Sequence, residues 1–95
     1  MIIRHGDEIT RQAGIDALDE LRDGLTHDRD CELGLPRDPR ACAGCRVDHT
    51  IAMITRDLWD GYTLADTLAG VERARHSLPY GLGCTVLDTV TAIRD

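Results

Sequence analysis

Gly44-Cys45-Arg46-Val47-Asp48-His49-Thr50-Ile51-Ala52-Met53-Ile54-Thr55-Arg56-Asp57-Leu58-Trp59 is the stretch that decides the fold class. Val47, Ile51, Ile54 and Leu58 recur at spacings of four, three and four, which at ~100° per residue places them in one narrow arc. Such an arc is the buried stripe of an amphipathic helix. Cys45 and His49 stand one turn apart on the side that this stripe predicts to be opposite. Asp60-Gly61 supplies the break at the far end.

Working outward, Thr63-Leu64-Ala65-Asp66 has the form of a capping box with Asp in place of Glu. It predicts a third helix with Leu64, Leu68 and Val71 inward, ended by Leu78-Pro79-Tyr80-Gly81. Thr85-Val86-Leu87-Asp88 reads as a second box, opening a fourth helix with Val86, Val90 and Ile93 inward. Upstream, Asp7 is placed to cap a first helix, with Glu8 in its favourable first turn. Ala17, Leu18, Leu21 and Leu25 keep helical spacing along it, and Gly24 marks its end. Residues 26–40, with Gly34, Pro36 and Pro39 among many Asp and Arg, read as a loop. No stretch alternates as a strand, and Ile2-Ile3 is too short. The expectation is an all-α, single four-helix domain over residues 1–95.

Composition narrows what such a domain can be. A chain of 95 residues buries only about two-thirds of its unfolded surface. With no Phe, one Trp (Trp59) and two Tyr (Tyr62, Tyr80), its core must be aliphatic and lean. Such a domain gains from a staple, a metal or a second subunit. All eleven cations are Arg, and Lys and Asn are absent. Those residues and Phe have AT-rich codons, so the bias points to a GC-rich genome, actinobacterial or that of its phage. The net charge of −6 disfavours non-specific binding to nucleic acid or anionic lipid and favours a basic protein partner. No apolar run is long enough to span a bilayer, and the N-terminus lacks the apolar region of a signal peptide. The expected location is therefore cytoplasmic, where clustered cysteines point to metal or redox chemistry before structural disulfides.

The cysteines are the candidate site. Cys31 stands ten residues before Cys42-Ala43-Gly44-Cys45, a CxxC at the start of the second helix. Thiolates near a helix N-terminus are stabilised by its partial positive charge, and Arg40 and Arg46 flank the pair. Zinc takes four ligands in a tetrahedron, so Cys31, Cys42, Cys45 and Cys84 form the expected set, with His49 as the alternative fourth ligand and His27 behind it. An iron–sulfur cluster, a disulfide and a thiol-redox pair are the competing readings of the same residues. Four cysteines around a central CxxC are similar to the pattern of the WhiB-like iron–sulfur regulators of actinobacteria, which implies the cluster. In that family the last cysteine follows the CxxC closely, before a Gly-Trp-Gly turn and a basic tail. Here Cys84 is distant and the tail acidic, so the chain is not assigned to it.

The remaining chemistry-bearing residues read mostly as surface. Residues 60–76 have a faint helix-turn-helix character, with Arg73, Arg75 and His76 able to face phosphate. Their simpler role is to complement the C-terminal end of the third helix. His5 and His76 fit no nucleophile motif, Ser77 precedes a helix-ending Leu-Pro, and no phosphate loop or HExxH is present. Asp16, Asp19, Glu20 and Asp23 form the wet face of the first helix. Ala52, Met53 and Trp59 lie off the second helix's stripe, and Ala65 and Ala69 beside the third's. Together these features predict a metal-stapled, non-enzymatic regulatory or adaptor protein that works through a protein partner or a second copy. A DNA-binding regulator and a CxxC redox protein are the alternatives.

Overall fold

A computed structural model describes residues 8–25 and 42–94, which form four α-helices: α1 (Arg11–Asp23), α2 (Ala43–Trp59), α3 (Leu64–Ala74) and α4 (Tyr80–Ala92). A single 3-10 turn, Arg75–Ser77, follows α3. The all-α expectation holds. α2 packs against α1 and α3, and α4 against α3 and α1. Leu18, Ile51, Leu58, Val71, Val86, Val90 and Ile93 are completely or almost completely buried, so every helix contributes to one aliphatic core. Each such side chain contributes about 1.5–3 kcal/mol by leaving water.

Local chemistry sets most of the boundaries. Thr63 caps α3 as expected, its hydroxyl accepting the Asp66 N–H at 3.1 Å. α2 ends in a Schellman arrangement. Gly61 takes φ +82°, and the Gly61 and Tyr62 N–H groups donate back to the carbonyls of Leu58 and Asp57. Arg11 reaches across from α1 to donate to the carbonyls of Leu58 and Tyr62, both at 3.1 Å, satisfying a helix end from outside it.

Two expected helix starts are corrected. α1 does not begin near Glu8: its cap is Thr10, whose hydroxyl accepts the Ala13 N–H at 3.0 Å, and Asp7 lies outside the described residues. α4 begins at Tyr80, not at Thr85. Pro79 is the reason. It bars Leu78 from helical dihedrals, leaving it extended at φ −118°, ψ 143°, while its carbonyl accepts the Gly83 N–H at 2.8 Å. Pro79 therefore separates two helices instead of only closing the first. Thr85 sits inside α4 and donates its hydroxyl to the Gly81 carbonyl at 3.0 Å. The same back-bond lets Thr55, Thr67 and Thr89 lie buried without an unsatisfied hydroxyl.

The two ends of the described chain are clasped together. Ile9 pairs with Ile93 in an isolated parallel bridge, with Ile9 N–H to the Ala92 carbonyl at 2.9 Å and Arg94 N–H to the Ile9 carbonyl at 2.8 Å. Gly14 lies directly against this clasp.

Candidate functional site

Cys42 is the N-cap of α2, and its sulfur accepts the Cys45 N–H at 3.3 Å. The CxxC spacing makes this possible, because the N-cap side chain reaches the amide three residues on. Both thiols are buried, Cys45 to 3% exposure. That corrects the expectation that Cys45 faces away from the core. In the first two turns of α2 the buried residues extend beyond the Val47–Leu58 stripe to include Gly44, Cys45 and Asp48. His49 remains exposed, as expected.

Cys84 lies within α4, half-buried and one turn past the helix start, not beside its cap as expected. Cys31, His27 and Arg40 lie outside the described residues. Among the described residues, no three side chains of His, Cys, Asp or Glu converge on a common point. The CxxC pair is therefore brought together at the start of α2, while neither Cys84 nor His49 joins it in a group of three.

Next to this end of α2 is an ion pair that sequence reading missed. Arg22 Nε donates to Asp48 Oδ1 at 2.8 Å, with Asp48 only 4% exposed, and Arg22 also lies 3.6 Å from Asp19. The hydrogen bond that Arg22 donates to Asp48 raises the Arg22 pKa above its ordinary value, so the guanidinium stays charged. No local motif announces the pair, because its residues are 26 positions apart. The only hint was a carboxylate, Asp48, next to Val47 on the core stripe. Since Arg11 contacts the end of α2 and Arg22 its beginning, α1 and α2 run antiparallel.

The outer side of α2 carries Arg46, His49, Met53, Arg56 and Trp59, all exposed. Trp59 is 63% and Met53 56% exposed, so Trp59 does not fold back to fill the core. Beside Met53 is an open groove of about 270 Å³ between α2 and α3, lined also by Thr50, Asp57, Gly70, Arg73 and Ser77. In the helix-turn-helix reading, Arg73 and His76 are exposed but Arg75 is held 3.4 Å from Glu72. Among the described residues no helix is long and apolar enough to cross a membrane. Comparison of the chain with models of protein families, with curated proteins and with solved structures gave no match.

Proposed function

We propose that this protein acts by binding and not by catalysis, as a small regulatory or adaptor domain whose thiol-bearing end holds a metal ion and whose outer helical surface meets a protein partner. The observation that carries the binding reading is Trp59, 63% exposed where α2 ends, with Met53 and Tyr62 also exposed. A large aromatic ring in water is a frequent anchor of protein interfaces, where it fills a pocket on the partner. A photo-crosslinking amino acid at position 59, introduced in the cells that make the protein, is expected to give one discrete protein adduct. No adduct there would sink the binding reading.

The metal reading rests on the chemistry of the CxxC pair. Cys42 and Cys45 share the N-terminal end of a 17-residue helix, where the dipole favours thiolates. Cys31 is the third proposed ligand and Cys84 the fourth, with His49 the alternative, and zinc is the proposed ion. Elemental analysis of purified protein separates zinc from an iron–sulfur cluster and from no metal. Cys84→Ser is expected to reduce metal retention more than His49→Ala, and the reverse order would move the site onto α2.

One observation also favours a redox reading: the Cys42 sulfur accepts a helix N-terminal amide, an arrangement that lowers a thiol pKa. The burial of both thiols opposes it, since a nucleophilic thiol needs access. Rapid alkylation of Cys42 in folded, metal-free protein would favour this second reading.

A further inference from the structure

We propose that the exposed face of α2 binds a second copy of this chain, seating itself against the acidic outer face of that copy's α1. The inference deepens the binding reading above by naming the partner. It starts from the distribution of charge. The chain carries a net charge of −6, yet the outer side of α2 is basic, with Arg46, His49 and Arg56 exposed along it. Asp60, 3.7 Å from Arg56, is the one acid that meets this row in an ion pair among the described residues. Met53 and Trp59 lie within the row and supply its apolar contact.

The matching surface is on the same molecule. Along α1, Asp16, Glu20 and Asp23 are exposed and Asp19 is half-exposed. Among the described residues Arg22 stands beside them, donating to Asp48 at 2.8 Å and lying 3.6 Å from Asp19, so Asp16 and Asp23 carry the match. Because α1 and α2 are antiparallel neighbours, a two-fold axis between them sets α2 of each copy against α1 of the other. One self-complementary patch then satisfies both subunits, as closed dimers require.

Two copies at −6 each repel, and magnitudes decide whether that prevents association. Domains of this length sit about 26 Å apart between centres, beyond the Debye length of ~10 Å at 0.1 M salt, so the overall repulsion is largely screened. A contact pair at ~4 Å is worth about 1 kcal/mol in water and more where the interface excludes it. Near 0.01 M salt the Debye length grows to ~30 Å and repulsion returns, while near 1 M it falls to ~3 Å and the contact pairs weaken. Association should therefore peak at intermediate salt.

Sedimentation equilibrium of the full chain across that salt series tests this, with a dimer expected that is tightest near ~0.1 M salt. Arg46→Glu with Arg56→Glu should weaken it at least about tenfold, and Asp16→Arg with Asp23→Arg should do the same. An equimolar mixture of the two double variants should recover a mixed dimer. A monomer at every salt concentration overturns the proposal, as does a dimer indifferent to both reversals. The salt profile of the unaltered chain stands even if a variant fails to fold. Crosslinking at position 59 separates the two readings. An adduct to a different protein sinks self-association and leaves the binding reading intact, whereas no adduct sinks both.

Discussion

A Cβ on Gly14 would stand 2.5 Å from Ile93 Cδ1 and 2.8 Å from Ile93 Cγ1, closer than unbonded carbons approach. Ile93 is fully buried and has no free direction in which to retreat. Replacing a helical glycine by alanine would ordinarily stabilise by up to about 1 kcal/mol. Overpacking at about 1–3 kcal/mol outweighs that gain. Gly14→Ala should therefore lower stability in urea unfolding, and together with Ile93→Ala, which alone costs about 2–5 kcal/mol, the loss should fall short of the sum, because the two changes share one space. Additive losses would refute the steric account. Arg22 is the second residue with a definite expectation. Arg22→Ala removes the guanidinium that buried Asp48 meets at 2.8 Å and should cost about 1.5–3 kcal/mol. Since the folded state raises the Arg22 pKa, its contribution is complete below the unfolded value and is lost only as pH climbs through the folded one. The penalty of Arg22→Ala that comes from this ionisation should thus be the same at pH 6 and pH 9, because an arginine whose pKa is raised keeps its proton at both.

At the scale of the helix, two threonines with the same sequence signature should behave differently. Thr63 receives the Asp66 N–H and is a true cap, so Thr63→Ala should cost about 0.5–2 kcal/mol. Thr85 opens an equally good box in sequence but lies inside α4, so Thr85→Ala should stay within about 0.5 kcal/mol of neutral. Equal losses at the two sites, measured by thermal unfolding, would contradict the placement of the α4 start. The contrast also shows what was legible in the sequence. α2 and α3 could be read because their stripes, the Asp60-Gly61 break and the Thr63 cap are all local. The α4 start could not, because Thr85 mimics a cap and Pro79 acts on its neighbour's dihedrals as well as ending a helix. Cys45 was misread because the Val47–Leu58 period marks only one face of α2, and burial in the helix's first turn does not follow that period. The Ile9–Ile93 clasp and the Arg22–Asp48 pair join distant residues, and no local pattern encodes either. Trp59 was legible as lying off the α2 stripe, but whether it protrudes or folds over the core was not, and the structure leaves it 63% exposed.

For the whole molecule, the question is whether the lean aliphatic core stands alone or is coupled to a metal at the head of α2. A single substitution gives opposite signs in the two cases. Cys42 has a structural role independent of any ion, because its sulfur caps α2 by accepting the Cys45 N–H. Serine is among the preferred N-cap residues and its oxygen, though smaller than sulfur, accepts the amide more strongly, so without metal Cys42→Ser should leave stability unchanged or slightly raised. With a metal bound, the same change removes a thiolate, and ligand binding energy coupled to folding is lost. We expect Cys42→Ser to lower the melting temperature of protein purified with its metal. We also expect a chelator to lower the unaltered protein to the level of the variant or below it. Once both are in chelator the variant should melt at the same temperature or higher, since only the cap remains. A variant at least as stable as the parent before any chelation would mean that the core holds itself together and that the cysteines serve as cap and filler alone.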